Sequence, residues 1–275
     1  MAKRIKEQIS IHELVKKLQY YRELYYNGQP EISDAEFDEL EETLRKLSPN
    51  HYYFKTVGAK EKNDSIKVHH DFPMLSMDKI KDPKELYTYW LEKNNLPPTT
   101  MLSVGPKIDG ISLTCRYDKG VFIYAATRGD GKNGSIINHV EHIRGIPERI
   151  PYDDEIYEVR GELYIDQHVR EINPESKDWS LRNYCYGLIN RKDLSSDIQY
   201  VNFVAYDMVL QKRLMPGPVS HKIFLDYMRS FCPNVIPQEN VTFIKCFEHI
   251  KTLEEYFNEY LMTYREQWPY ETDGI

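Results

Sequence analysis

The strongest constraint on the fold is an alternating segment in the middle of the chain. Residues 111–116 alternate between apolar and polar side chains, the turn sequence Asp118-Lys119-Gly120 follows, and residues 121–125 return as an apolar run. Alternation with a period of two is typical of a half-buried strand, and a glycine-containing turn between two such runs predicts a β-hairpin. The domain around this hairpin is therefore expected to be antiparallel and rich in β-structure.

Further elements are expected on both sides of the hairpin. Ile156–Ile165 and Val201–Val209 are strand candidates. Helices are expected at Ser220–Arg229 and at Thr252–Arg265, the second with a Thr252/Glu255 capping box. Before the hairpin, Asp82-Pro83 predicts a helix start. The predicted buried side of that helix consists of Leu86, Trp90 and Leu91.

The N-terminal block, up to about Ser48, has helical periodicity instead. Its first helix has an apolar stripe at Leu14, Leu18, Tyr21 and Tyr25, and Asn27-Gly28-Gln29-Pro30 ends it. Ser33 opens a second helix with Glu36 completing a capping box, followed by Phe37, Leu40, Leu44 and Leu47. The predicted class is α+β, with a helical hairpin domain over residues 1–60 and a β-rich domain over residues 61–275.

Composition excludes several classes of protein. No apolar run approaches the ~20 residues of a membrane span, and the charged N-terminus lacks the apolar core of a secretion signal. The four cysteines form no C-x-x-C pair, so we expect reduced thiols, no structural metal site and a cytoplasmic protein. The net charge of −7 argues against strong sequence-independent binding of nucleic acid.

Four short segments contain residue types suited to catalysis. They are Lys107-Ile108-Asp109-Gly110, Ala126-Thr127-Arg128-Gly129-Asp130-Gly131, Glu158-Val159-Arg160-Gly161-Glu162 and Tyr270-Glu271-Thr272-Asp273-Gly274. A lysine is a nucleophile only when neutral, so its pKa must fall through burial or nearby positive charge. An arginine beside a glycine turn suits phosphate or ribose contact. Taken singly, each segment also fits an ordinary structural role. In order, these roles are a surface turn, a hairpin loop, a solvent-facing strand and a disordered tail.

In this order and spacing the four segments resemble the nucleotidyltransferase domain of NAD⁺-dependent DNA ligases, an ATP-grasp-like adenylation fold. The resemblance implies that Lys107 is the adenylylated lysine, with Asp109 and Glu162 as catalytic partners. It further implies nucleotide contacts by Arg128, Glu162, Arg182, Tyr206 and Asp273, and by Ser76 and Met77 in the segment between the domains.

The N-terminal block resembles the small domain that holds the nicotinamide mononucleotide (NMN) half of NAD⁺ in this family and that ATP-dependent ligases lack. Tyr25, Tyr26, Asp34 and Asp38 match its binding positions. Tyr26 and Phe37 stand where the family usually has His and Tyr. Two residues before the lysine, Gly105 stands where the family usually has a glutamate that recognises adenine, which weakens or reroutes adenine recognition.

The implied activity is the first step of nick sealing in DNA replication and repair. Lys107 attacks the adenylyl phosphorus of NAD⁺ with Mg²⁺ on the phosphates, NMN leaves, and lysyl-AMP remains. The implied setting is a bacterial cytoplasm, or a host cytoplasm for a viral protein. The chain stops within the family's D-G-V-V-I-K motif, so either it is a piece of a longer protein or a second polypeptide carries the rest. Nicked duplex DNA is expected to bind weakly to this chain alone.

Two alternatives stay open at this point. The chain could be a non-catalytic subunit that binds NAD⁺ or a partner chain and forms little lysyl-AMP. It could also be an ATP- or GTP-using relative, such as an RNA ligase or capping enzyme. The N-terminal NMN-binding residues speak against the second alternative, because such a block has no function with ATP.

Overall fold

The computed structural model describes residues 10–26, 29–56, 66–77, 80, 82–152, 155–172, 180–210, 213–215 and 221–275. They form two compact units. Unit 1 contains the described residues up to Leu75 together with Arg128–Ser135, and unit 2 contains those of Ser76–Thr127 and Ile136–Ile275. The predicted domain boundary at residues 60/61 falls outside the described residues and stays a prediction.

Unit 1 is built on a helical hairpin. Helix α1 (Ile11–Tyr26) and helix α2 (Asp34–Leu47) are followed by a 3₁₀ turn at Tyr52–Lys55. The Ser33/Glu36 capping box is confirmed, since both of its reciprocal hydrogen bonds are present. The buried core of the hairpin consists of Leu14, Leu18, Leu44 and Tyr53. Strand β1 (Lys67–His69) pairs antiparallel with β6 (Asn133–Ser135) in the same unit.

Unit 2 is organised around a five-stranded antiparallel sheet. Its strands, in spatial order, are β5 (Val121–Thr127), β4 (Ile111–Asp118), β7 (Ile156–Ile165), β8 (Val201–Leu210) and β9 (Arg213–Met215). The predicted hairpin is confirmed as β4–β5, and its turn places Lys119 and Gly120 at positive φ. The two further strand candidates are confirmed as β7 and β8.

Two smaller sheets in unit 2 were not predicted. Strand β2 (Leu102–Val104) pairs antiparallel with β10 (Glu239–Thr242), which pairs in parallel with β11 (Lys251–Thr252). Strand β3 (Lys107–Ile108) pairs with β12 (Thr272–Gly274). These strands have two to four residues, too few for the alternation that identifies a strand from sequence.

Helices complete unit 2. They are α3 (Pro83–Leu86), which continues as a π-helical segment (Tyr87–Glu92), α4 (Val169–Ile172), α5 (Leu181–Asn190), α6 (His221–Met228), α7 (Leu253–Glu259), a second π-helical segment (Tyr260–Tyr264) and α8 (Arg265–Gln267), with 3₁₀ turns at Val140–His142 and Ser196–Tyr200. The start at Asp82 and the Thr252/Glu255 capping box are confirmed. The predicted burial of Trp90 is wrong: its side chain is 41% exposed, because the π-helical segment departs from the regular α-helical spacing that the prediction assumed.

The large sheet has one apolar and one polar face at β4. Leu113, Cys115 and Tyr117 are buried in the main core, whereas Ser112, Thr114 and Arg116 point the opposite way. Helices α5 and α6 contribute buried side chains to the same core, among them Leu188 and Leu225. The mixture of helices and largely antiparallel sheets confirms the α+β class.

Candidate active site

Lys107 lies on the short strand β3, and the end of the chain reaches it there. Thr272 pairs with Ile108, and Nζ of Lys107 donates a hydrogen bond to the carboxylate of Asp273, 166 residues later. The C-terminal segment is therefore an ordered strand and not a disordered tail. The side chain of Lys107 is 42% exposed, so the burial expected for this lysine is not found.

The residues after Lys107 form a tight corner around Gly110. Nε of Arg182, on α5, donates a hydrogen bond of 2.9 Å to the Gly110 carbonyl oxygen and lies 3.8 Å from the Asp109 carboxylate. The carboxylate of Glu162, on β7, accepts a hydrogen bond of 2.9 Å from the hydroxyl of Ser112. A Cβ on Gly110 would lie 2.8 Å from Cγ of Glu162. The structure thus brings Asp109, Glu162 and Arg182 together.

The polar face of the sheet continues this corner with buried charges. Glu158 and Arg160 are each only 5% exposed, on a strand that is interior to the sheet, so the solvent-facing interpretation of this segment is wrong. Glu158 accepts from Arg116 at 3.1 Å and lies 3.5 Å from Arg160. Buried charges require such partners because transfer from water is costly.

Asp207 lies opposite Arg160 on the neighbouring strand. Burial raises the pKa of Asp207 to about 6, against the hydrogen bond from the Met208 amide and the charges of His221 and Arg160. A bulge in the β7–β8 pairing changes the alternation of β8 at Tyr206. Val204 therefore lies opposite Glu162, and Asp207 lies opposite Arg160. Tyr206 itself is half-buried and packs against the main core.

Strand β12 has anchors that the sequence did not indicate. The backbone amide of Asp109 donates to the Glu271 carbonyl oxygen at 2.9 Å, and Arg170 forms an ion pair of 2.7 Å with the Glu271 carboxylate. The hydroxyl groups of Tyr260 and Thr272 share a hydrogen bond of 3.0 Å, and both residues are buried. No sequence signal identified Arg170 or Tyr260, because their partners lie 101 and 12 residues away.

In unit 1, Arg128 meets the end of α1. Its Nη2 donates to the hydroxyl of Tyr26 at 2.5 Å, and Tyr25 packs edge-on against Tyr26. Gly129 and Gly131 adopt positive φ, as a tight glycine turn requires. Nε of Arg128 is buried with no hydrogen-bond partner among the described residues, so it retains a donor for a polar ligand.

The remaining predicted contact residues divide between the two units. Asp34 and Asp38 lie one turn apart on α2, Asp34 exposed and Asp38 half-buried. Ser76 and Met77 are exposed residues of unit 2. The roles of all these residues stay predictions.

Three further features of the described residues concern membranes, metals and thiols. No helix within them is long and apolar enough to cross a membrane. They contain no group of three metal-ligating side chains. The four cysteines are free thiols, and all but Cys246 are buried.

Unit 2 thus combines an antiparallel sheet with a lysine that contacts a carboxylate and is followed directly by the corner of Asp109, Glu162 and Arg182, a set of residues suited to covalent chemistry on a phosphate. Residues 62–275 match the family described as NAD-dependent DNA ligase adenylation domain. The chain belongs to this family.

Two relatives of this chain are DNA ligases from Rickettsia and Wolbachia. The DNA ligase of Rickettsia akari (strain Hartford) is 32% identical over 290 residues, covering 96% of this chain and 40% of that protein. The DNA ligase of Wolbachia pipientis subsp. Culex pipiens (strain wPip) is 33% identical over 206 residues, covering 72% of this chain and 31% of that protein. The chain spans less than half of the length of these relatives.

A solved chain named Pmar-Lig_Pre. is 13% identical with a TM-score of 0.42, covering 85% of this chain and 45% of that chain. The family assignment rests on the sequence match alone.

Proposed function

We propose that this chain forms lysyl-AMP from NAD⁺ at Lys107, as the adenylation part of a DNA ligase with nucleotidyltransferase architecture. The observation that carries the proposal is the placement of Lys107 beside Asp273, next to the corner formed by Asp109, Glu162 and Arg182, in a chain of this family.

The chemical step is a displacement at phosphorus. Nζ of Lys107 attacks the adenylyl phosphorus of NAD⁺, a P–N bond forms, and the P–O bond to NMN breaks, so that NMN leaves with the electron pair. The lysine ammonium must first lose a proton. Asp273 is the carboxylate in hydrogen-bond contact with Nζ and is the group that takes this proton.

The charged residues of unit 2 and unit 1 have separate tasks in this proposal. Arg182 positions the Asp109–Gly110 backbone. Arg128 offers its buried Nε to a phosphate or ribose oxygen, and Tyr25, Tyr26, Asp34 and Asp38 bind the NMN half. Positioning of this kind supplies much of the rate in phosphoryl transfer.

The residues present would hold Mg²⁺ only together with the phosphates of a bound nucleotide. Magnesium is commonly held by one or two carboxylates, substrate phosphates and water, and does not need three protein ligands. Asp109 and Glu162 are the carboxylates that would hold it, and the ion would neutralise phosphate charge. Ser76, Met77 and Tyr206 are proposed to contact the nucleotide, and nicked duplex DNA is the proposed later partner of the whole protein, in replication and repair.

Intact-mass measurement tests the proposal. The purified chain is incubated with Mg²⁺ and either NAD⁺ or ATP, with Lys107→Ala and the exposed-residue control Lys84→Ala alongside. We expect a gain of one AMP with NAD⁺ on the parent and on Lys84→Ala, and none on Lys107→Ala. An adduct on Lys107→Ala, or one formed from ATP and not from NAD⁺, would contradict the proposal.

A further inference from the structure

We propose that Gln238 recognises the adenine base of NAD⁺ in this chain, in place of the glutamate that the family usually has at the position of Gly105. The inference rests on the proposed function, because it assumes that NAD⁺ binds beside Lys107. It adds a specificity-determining residue that lies 131 positions after Lys107, directly before strand β10.

The strand register brings Gln238 to Gly105. In the β2–β10 pair, Asn240 lies opposite Ser103 and Glu239 lies opposite Val104. Continuing the antiparallel register by one residue places Gln238 opposite Gly105. Residues that are directly opposite in an antiparallel pair project from the same face. Gln238 therefore projects from the face on which a side chain at position 105 would lie.

Close packing shows that Gln238 already occupies this space. A Cβ on Gly105 would lie 3.1 Å from Cγ of Gln238 and 2.6 Å from the carbonyl oxygen of Pro237. The second distance is shorter than real Cβ contacts, so a glutamate at position 105 would require the Pro237 backbone to move. Gln238 thus fills the space that a side chain at position 105 would otherwise occupy.

The carboxamide of Gln238 is held in one orientation. Its Oε1 accepts a hydrogen bond from the hydroxyl of Ser103 and lies 3.2 Å from Nδ1 of His221. These two contacts engage the oxygen and leave the amide group Nε2, with two N–H donors, for a ligand. Gln238 is half-buried, so a base that covers it would form this hydrogen bond out of bulk water.

The chemistry of recognition changes with the residue. An ionised glutamate can only accept hydrogen bonds, so it can contact only the exocyclic amino group of adenine. The amide group of Gln238 donates, so its partner must be an acceptor on the base, which is a ring nitrogen. The structure thus assigns a donor to adenine recognition in this chain where an acceptor is usual.

Two variants of similar length test this assignment. Gln238→Met keeps the bulk beside Gly105 but removes both polar atoms, and Gln238→Glu keeps an acceptor but removes the donor. Gln199→Ala, at an exposed glutamine of unit 2, is the matched control. The measurements are NAD⁺ and NMN affinities by calorimetry and the rate of lysyl-AMP formation by intact mass.

We expect both Gln238 variants to bind NAD⁺ about 3- to 10-fold more weakly, the loss of one hydrogen bond. Their NMN affinity should equal that of the parent because NMN has no adenine, and parent-like urea unfolding shows that unit 2 is folded in the variants. Parent-like NAD⁺ affinity in Gln238→Met, or in Gln238→Glu, would overturn the assignment. Failure of the parent chain itself to bind NAD⁺ and form lysyl-AMP would instead overturn the proposed function.

Discussion

Gly110 shows at the residue scale why the lysine motif contains a glycine. A Cβ there would lie 2.1 Å from the Leu163 carbonyl oxygen and 2.8 Å from Cγ of Glu162. Only hydrogen fits between the motif and β7, and this close approach brings Asp109 and Glu162 into one corner. The requirement is steric and not conformational, since the backbone of Gly110 does not adopt positive φ.

Gly110→Ala is therefore expected to lower the free energy of unfolding by about 1–3 kcal/mol, as overpacking does. It should also abolish most lysyl-AMP formation, because β7 and the lysine motif must move apart. Gly187→Ala is the matched control. It lies inside α5 with nothing within 4 Å of the added Cβ, and alanine there should stabilise the helix by about 0.5–1 kcal/mol. Urea unfolding measures both effects, and equal stabilities would contradict the steric argument.

The buried carboxyl of Asp207 leads to a second prediction at the residue scale, which concerns how the free energy of unfolding depends on pH. Because burial raises its pKa from an ordinary 3.8 to about 6, the folded state binds this proton more tightly than the unfolded state. Its contribution to stability is fully present below pH 3.8 and is lost as the pH rises through about 6. The loss is on the order of 3 kcal/mol.

Asp207→Asn should remove this dependence. The difference in unfolding free energy between variant and parent is expected to change between pH 4 and pH 7, in favour of the variant at the higher pH. Asp118→Asn, at an exposed position of the hairpin turn, removes a carboxyl that is not buried and is the matched control. Urea titrations at several pH values measure both, and a constant difference for Asp207→Asn would show that its carboxyl is not buried as described.

At the scale of elements, strand β12 depends on partners from the rest of unit 2. It is three residues long, too short to be stable by itself, yet it brings Asp273 to Lys107. Tyr260 and Arg170 hold the two residues that precede Asp273, namely Thr272 and Glu271. Tyr260 begins the π-helical segment, and Trp268 packs between Tyr260 and Tyr270. An aromatic cluster therefore supports the strand from the side of α7.

Tyr260→Phe should loosen β12 without removing a residue in contact with nucleotide. We expect a several-fold slower rate of lysyl-AMP formation, because Asp273 is less well placed, with unchanged NAD⁺ affinity. Tyr256→Phe, the same substitution one turn earlier in α7, is the control. Rapid-quench rates at saturating NAD⁺ and calorimetric affinities separate the two effects. A fall in affinity with an unchanged rate would contradict the positioning role.

At the scale of the whole molecule, the predicted nucleotide contacts divide between two compact units. Tyr25, Tyr26, Asp34, Asp38 and Arg128 belong to unit 1, whereas Lys107 and the corner around Gly110 belong to unit 2. The segment that contains Arg128 joins unit 1 although it lies between two strands of unit 2 in sequence. This division predicts that NMN binding depends on residues of unit 1 and that AMP binding depends on residues of unit 2.

Binding of separate ligands tests this division. Asp38→Asn should weaken NMN and NAD⁺ binding by about 3- to 10-fold and leave AMP binding unchanged, since one hydrogen bond is lost. Gln238→Met should weaken AMP and NAD⁺ binding and leave NMN binding unchanged. Asp118→Asn should change none of the three affinities. Loss of AMP binding in Asp38→Asn would contradict the assignment of α2 to the NMN half.

The sequence by itself determined those elements whose hydrogen bonds or side-chain pattern lie within a short stretch of the chain. The two capping boxes, the β4–β5 hairpin with its turn and the long strands β7 and β8 all follow from hydrogen bonds or periodicity within about ten residues. The resemblance of four motifs to one family added the prediction that Lys107 is the adenylylated lysine. The family is now shown by the match over residues 62–275.

Only the tertiary structure decided which distant residues meet. The contact of Asp273 with Lys107, the pairing of Arg170 with Glu271 and the place of Gln238 beside Gly105 connect residues that lie about 100 or more positions apart. The strands that create these contacts are too short for a periodic pattern, and the exposure of Trp90 depends on a π-helical segment. Such features arise from packing and register between elements, and these depend on the whole fold and not on any local run of residues.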